Sequence, residues 1–200
     1  MWAQIKRVLK SNGLAVFTAA QPFTSMLVMS NPEWFKYDLV WQKTIGSGQL
    51  NINRQPLRMH ESVLIFCGGG GVYSEQKTLG SPYKITREVS KFKTSYGKQK
   101  DHTSVNTGTR RAKSIIKVSN PRIKNGHGTE KPVKLMEYLV KTYSNEGGTV
   151  LDFAAGRMTT GIACINTNRR FIGMELDDHW YEVGMERIKK LFSFDLTNKN

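Results

Sequence analysis

Thr149-Val-Leu-Asp-Phe-Ala-Ala-Gly-Arg-Met-Thr-Thr-Gly161, followed shortly by Arg170-Phe-Ile-Gly-Met-Glu-Leu-Asp177, is the stretch that decides the fold. A short apolar run ends at Asp152, a turn carries Gly156, and the pattern predicts a helix from Thr159. A second apolar run leads to the acid Glu175. Strand, turn, helix, strand and acid in this order form a Rossmann-like nucleotide site, in which the acid accepts hydrogen bonds from ribose hydroxyls. Such a site normally opens its domain, whereas here 148 residues precede Thr149.

Working outward, Pro132 suits the first turn of a helix whose Val133, Met136, Val140 and Tyr143 recur at helical spacing, and Asn145-Glu-Gly-Gly148 then leads into the strand. Downstream, a last helix from about Asp178 to Phe192 would turn Trp180, Ile188 and Leu191 toward the sheet. Near the start, Trp2, Ile5, Val8 and Leu9 predict a helix, ended by Asn12-Gly13, types that tolerate a left-handed cap. Leu14 to Thr18 reads as a buried strand. Phe23 to Ser30 reads as a helix whose Met and Leu residues pack a core. Tyr37 to Trp41 and Ser62 to Phe66 read as two further strands with a loop between them. Strands alternating with helices predict a parallel or mostly parallel α/β sheet, with the ligand at the strands' carboxyl ends.

Gly68 to Gly71 is a hinge with no side chains to pack, and beyond it the composition changes. From Lys77 to Lys124 there are 13 Lys and Arg against two acids, most of the chain's formal net charge of +14. Apolar periodicity nearly vanishes there, as in a solvated, partly disordered insertion. Tyr83, Phe92 and Tyr96 interleave with those cations, a pattern suited to nucleic acid, since cations meet phosphates and aromatics stack. Three segments follow: 1–71, 72–124 (the basic insertion) and 125–200.

Several classes are excluded by composition. No run of eighteen apolar residues exists to cross a membrane, and the start of the chain is broken by charge rather than shaped as a secretory signal. Cys67 and Cys164 lack the paired spacing of zinc sites or disulfide scaffolds, and His60, His102, His127 and His179 are scattered, so buried thiols in a reducing cytoplasm and no metal are expected.

Three separated stretches resemble one family. Asn125-Gly-His-Gly-Thr-Glu-Lys-Pro132 is similar to the His-x-Thr-x-Lys-Pro segment of amino-type (adenine-N6 or cytosine-N4) DNA methyltransferases of the permuted beta arrangement, bacterial or phage. Leu151 to Gly161 resembles their Asp-Pro-Phe-x-Gly-Ser-Gly-Thr-Thr segment without the proline. Tyr37 to Phe66, with Trp41-Gln-Lys-Thr44 and Asn53-Arg-Gln-Pro-Leu-Arg-Met-His-Glu-Ser62, resembles their catalytic half. The resemblance implies an incomplete Rossmann-like methyltransferase sheet carrying a basic, loop-rich DNA-recognition insertion. It also implies methyl transfer from S-adenosylmethionine to a base amine in double-stranded DNA, with adenine N6 expected as the target, in a setting of restriction-modification.

By the same resemblance, Thr129, Lys131, Asp152, Phe153, Gly156, Thr159, Glu175 and Asp177 would hold the cofactor. Its carboxylate would meet backbone amides at the Gly156 turn and the following helix start. Lys43, Thr44, Arg54, Arg58, Arg110 and Arg111 would contact DNA. Two departures stand out. Arg157-Met158 replaces Ser-Gly, so that Met158 would narrow the pocket while Arg157 would either attract the carboxylate or point to solvent. The family's Asp/Ser-Pro-Pro-Tyr/Phe tetrapeptide is not in the chain, which contains no Pro-Pro pair, so no catalytic residue is assigned. The expectation is a truncated form, inactive alone or dependent on a missing N-terminal segment or second fragment. The alternatives are a non-enzymatic DNA-binding remnant and an RNA methyltransferase.

Overall fold

The computed structural model describes residues 1–87, 101–120 and 128–197. Phe92, Tyr96 and Asn125-Gly-His127 of the stretches singled out above lie outside them. In chain order the elements are α1 (Trp2–Val8), β1 (Ala15–Ala19), α2 (Phe23–Met29), β2 (Phe35–Ser47), β3 (Arg58–Phe66), β4 (Thr78–Leu79), β5 (Tyr83–Arg87), β6 (His102–Asn106), β7 (Thr109–Arg110), β8 (Ile115–Lys117), α3 (Val133–Tyr143), β9 (Thr149–Asp152), α4 (Thr159–Asn166), β10 (Arg170–Gly173) and α5 (Asp178–Thr197). They fall into two compact units, Glu75–Lys113 and the remainder.

In the larger unit a four-stranded sheet runs β1-β3-β2-β8. The run Val63-Leu-Ile-Phe66 is continuously apolar because β3 is covered on both faces, and successive side chains alternate between them. Val63 and Ile65 pack with Trp41, Ile116 and the α3 residues Leu135, Leu139 and Tyr143. Leu64 and Phe66 pack on the other face with Ala19 and the α2 residue Leu27, beside Trp2, Phe17 and Phe35. Trp41 is fixed further by its indole N–H, which donates to the Val118 carbonyl at 2.9 Å.

The expected parallel sheet is corrected here. β1 and β2 both run antiparallel to β3, and in this sheet only β8 pairs in parallel, with β2. The connection between β2 and β3 is a hairpin rather than a helical crossover, and a hairpin can join only antiparallel strands. Both strands also extend beyond the apolar runs that revealed them, β2 to Ser47 and β3 back to Arg58. Strand β8 lies inside the stretch read as basic insertion, yet its Ile116 is buried in the sheet's core.

Two smaller corrections concern helix ends and faces. α1 stops at an extended Leu9 (φ −77°, ψ 132°) rather than at a left-handed Asn12 or Gly13. In α2 only Leu27 and Thr24 are buried, and Met26 and Met29 face solvent instead of a core.

The second sheet of this unit is the parallel pair β9–β10, crossed over by α4, as the deciding stretch predicts. One face packs Val150 and Phe171 against Val140, Ala163 and Cys164 of α3 and α4. Gly161 is needed at that contact, because a Cβ there would stand 2.8 Å from the Phe171 ring. Burial pushes the Cys164 thiol up to about 12, which keeps it neutral and unreactive.

The smaller unit holds two short antiparallel pairs, β4–β7 and β5–β6. The absence of apolar alternation in its sequence reflects strands with little buried face: every residue of β5 is exposed.

Candidate functional site

The carboxyl ends of β9 and β10 carry the candidate site. Asp152 closes β9, its Oδ2 accepting from the Thr160 hydroxyl at 2.6 Å and its Oδ1 from the Ala154 N–H at 3.1 Å. Both bonds fix the carboxylate over the start of α4. Gly156 turns the chain with φ +50°, and a Cβ there would meet nothing within 4 Å, so the backbone borders open space. Phe153, Met174 and Leu176 are exposed around this opening, Leu176 almost completely at 99%.

Glu175 is the best-anchored acid of the group. Its Oε2 accepts the Gly156 N–H at 2.6 Å, and its Oε1 accepts the N–H groups of Leu176 at 3.0 Å and Asp177 at 3.1 Å. The Asp177 and Gly156 amides hold its carboxyl below the usual carboxylate range. A depressed folded-state value adds stability that is complete above the unfolded pKa and is lost as pH falls through the folded one. Stability should therefore drop as pH falls below about 4.5, and Glu175→Gln should flatten that drop in urea melts across pH 2–6. Asp177 serves the next element, accepting the Trp180 N–H at 3.1 Å as the cap of α5.

Arg157 neither faces solvent nor opens toward a ligand. Its Nη1 lies 2.7 Å from Glu130 Oε2, and Arg187 Nη1 lies 2.9 Å from Glu130 Oε1. The Thr159 hydroxyl adds a bond to Glu130 Oε1 at 3.1 Å, and Arg187 Nη1 also donates to the Arg157 carbonyl at 2.6 Å. The Glu130 side chain is only 7% exposed. The positive end of α4, expected to meet a bound carboxylate, is thus faced by the chain's own acid. Glu130 was missed in the sequence, where it stands as the variable position of the Thr-x-Lys-Pro string.

Met158 takes the left-handed conformation (φ 58°) at the N-cap of α4 and is 2% exposed, lodged against Gly184 of α5 and Gly173 of β10. It fills the space between elements and does not border the opening at Gly156. Left-handed backbone costs a non-glycine residue roughly 1–2 kcal/mol, while truncating a buried Met costs about 2–5 kcal/mol. Burial therefore wins: Met158→Gly should destabilise the fold by roughly 1–3 kcal/mol in urea unfolding, and a gain in stability would show that strain dominates.

Thr129 and Lys131 sit on the approach to α3. Lys131 Nζ donates to the Thr129 carbonyl at 2.9 Å and pairs with Glu61 Oε2 at 3.1 Å, and it lies 5.9 Å from the Trp41 ring centre. Glu61 also takes Lys43, Nζ to Oε1 at 3.3 Å.

The residues expected at DNA separate into three kinds. Lys43 is buried, held by Glu61 and the Ser47 hydroxyl, because the longer β2 carries its side chain inward. Thr44 and Arg110 are tied into the structure. The Thr44 N–H donates to Asn120 Oδ1 at 2.9 Å. Arg110 stacks over Tyr83 at 4.8 Å and donates to Asn106 Oδ1 and the Ser81 carbonyl. Arg54, Arg58 and Arg111 are exposed, Arg111 paired with Glu75 at 2.7 Å. Among the described residues no cluster of His, Cys, Asp or Glu suits a metal ion, and no helix is long and apolar enough to cross a membrane.

Comparison with known proteins fits this layout. The M1.HpyAVI structure solved with SAM superposes with a TM-score of 0.64 at 22% identity, covering 92% of this chain and 78% of that one. The cytosine-N4-specific PvuII DNA methyltransferase gives 0.63 at 15% identity, covering 92% and 67%. DNA adenine methyltransferase YhdJ of Escherichia coli K12 is 39% identical over 62 residues, 31% of this chain and 21% of that protein. Type II methyltransferase M.HindIII of Haemophilus influenzae is 26% identical over 209 residues, 91% of this chain and 65% of that protein. The chain thus spans less than two thirds of the length of these curated relatives. The N6/N4 family model described as DNA methylase matches residues 1–186, and the chain belongs to that family.

Proposed function

We propose that the chain binds S-adenosylmethionine at the ends of β9 and β10 and serves methylation of a base amine, adenine N6, in double-stranded DNA. One observation carries the cofactor reading. The Glu175 carboxylate is held by three backbone N–H groups beside the open Gly156 turn, at the carboxyl ends of parallel strands where such ligands bind. The site fits the cofactor: the turn is open, Met158 is packed away from it, and Arg157 is neutralised by Glu130.

S-adenosylmethionine supplies an electrophilic methyl group. The residues of this chain bind and orient it. Glu175 Oε2 has a second lone pair for a ribose hydroxyl while Oε1 stays fixed by the Leu176 and Asp177 amides. Phe153, with Met174 and Leu176, gives apolar surface to a flat base. Asp152 would face the amino group. Thr129, Lys131, Thr159 and Asp177 would border the same site, while the Gly156 N–H stays on Glu175. Adenine as target is supported by the similarity to YhdJ.

Among the described residues β1 and β9 are each paired on one edge only, and Phe17 of β1 stands 6.4 Å from Phe153 just beyond β9, ring centre to ring centre. Restriction-modification in the cytoplasm of a bacterial or phage-infected cell is the setting this reading favours.

Incubation with labelled cofactor and unmethylated duplex DNA, followed by nucleoside chromatography, tests the reading. The expected product is N6-methyladenine, formed only when both cofactor and duplex DNA are present. N4-methylcytosine would overturn the choice of base, methylated RNA the choice of nucleic acid, and DNA binding without cofactor binding would favour the non-enzymatic remnant.

A further inference from the structure

We propose that Glu130 sets the ligand preference of the cofactor site: as the chain's own carboxylate it holds the cations at the start of α4, so the ligand is selected through its adenosine half and its methionine carboxylate contributes little. This rests on the reading of S-adenosylmethionine as cofactor and says which part of it the site selects.

A carboxylate at a strand–turn–helix site is ordinarily met by the turn's N–H groups, the leading N–H groups of the helix and a nearby cation. Here the chain's own acids hold those positions. The Gly156 N–H donates to Glu175 Oε2 at 2.6 Å. The Thr159 hydroxyl donates to Glu130 Oε1 at 3.1 Å, and the Arg157 and Arg187 guanidinium groups close on the same carboxylate at 2.7 and 2.9 Å. Thr159, Thr160 and Gly161, the first residues of α4, are all buried, which closes the leading N–H groups of the helix to an incoming anion. The Arg157 Nε–H, which lacks a partner among the described residues, is buried as well.

The lysines on the approach to α3 are engaged in the same manner. Lys131 Nζ pairs with Glu61 Oε2 at 3.1 Å and donates to the Thr129 carbonyl, while Lys43 Nζ pairs with Glu61 Oε1 at 3.3 Å and donates to the Ser47 hydroxyl. Two acids thus occupy four cations, and the positive surplus is turned onto the chain's own carbonyl and hydroxyl oxygens.

A tethered carboxylate holds such a position against a free one. Glu130 is present at an effective concentration of roughly millimolar or more and surrenders no translational freedom on pairing. Its side chain is 7% exposed, so its ion pairs are little weakened by water. The adenosine end of the site is different. Glu175 Oε2 keeps a lone pair for a ribose hydroxyl, and Phe153, Met174 and Leu176 stand exposed beside it for a flat base.

The test is isothermal titration of the whole chain at physiological salt with S-adenosylmethionine and with its decarboxylated analogue, which keeps the sulfonium and the amine and lacks only the carboxylate. Wild type should bind the two within about threefold, whereas an anchored carboxylate would favour S-adenosylmethionine by roughly tenfold or more. Glu130→Gln leaves the guanidinium groups without their counter-charge and should create that tenfold preference. The ratio of two ligands on one variant is insensitive to a loss of fold stability that lowers both. Arg157→Ser, in which Arg187 still holds Glu130, should keep the two affinities close. A preference of tenfold or more in the wild type, or an unchanged ratio in Glu130→Gln, would overturn the assignment, and should Glu130→Gln fail to fold, the wild-type ratio decides it. Binding of neither ligand by the wild type would instead overturn the cofactor reading on which it rests.

Discussion

Glu130→Ala should destabilise the fold by about 3–5 kcal/mol, the loss typical of removing one partner from a buried charge cluster. Two guanidinium groups converge on this carboxylate at 2.7 and 2.9 Å, and the three side chains are 7%, 15% and 24% exposed. Without the acid, Arg157 and Arg187 face each other across a poorly hydrated gap, and Thr159 loses its acceptor. Glu130→Gln keeps one acceptor but not the charge, so an intermediate loss is expected. Urea unfolding of both variants beside Arg157→Ser checks this. In Arg157→Ser, Arg187 still satisfies Glu130, so the loss should be smaller than for Glu130→Ala. Equal stability of Glu130→Ala and wild type would mean that the cluster is solvated and contributes nothing.

The second large effect is expected at Glu175. Glu175→Ala removes the acceptor proposed for ribose hydroxyls and also frees the Gly156 turn, whose N–H it holds at 2.6 Å. A hydrogen bond to a charged group contributes about 1.5–3 kcal/mol, so cofactor affinity should fall roughly 10- to 100-fold. Because the carboxylate stands at an opening rather than in a core, the change in stability should be small beside the change in affinity. A variant that loses both equally would mark Glu175 as a structural acid.

These two residues show what a sequence can and cannot reveal. The position of Glu175 was legible because its surroundings are local: it lies just beyond β10, follows a glycine turn at a characteristic spacing, and is anchored by amides one and two residues ahead. Glu130 was not, because its partners Arg157 and Arg187 come from other elements and meet only when α4 and α5 have packed. The same contrast explains Lys43. In sequence it is a polar residue after an apolar run, whereas β2 continues to Ser47 and carries its ammonium inward to Glu61.

The fold divides in the same way. The parallel β9–β10 pair and its crossover helix followed from glycine placement and helical periodicity. The antiparallel joining of β2 and β3 depended on a hairpin whose flanking residues have no apolar alternation. The strands between 75 and 113 left no pattern at all, since period-two alternation arises from a buried face and β5 has none. Arg157-Met158 is the instructive departure. Read alone it suggested an obstructed pocket, yet Glu130 draws the arginine aside and Gly173 and Gly184 make room for the methionine.

By the proposed reading, the Gly156–Glu175 opening binds S-adenosylmethionine despite those two side chains. Isothermal titration of the cofactor into the chain, with Glu175→Ala alongside, tests this. One site per chain is predicted, with binding weakened roughly 10- to 100-fold in the variant. No heat from the wild type at millimolar cofactor, or equal binding by wild type and Glu175→Ala, would contradict it.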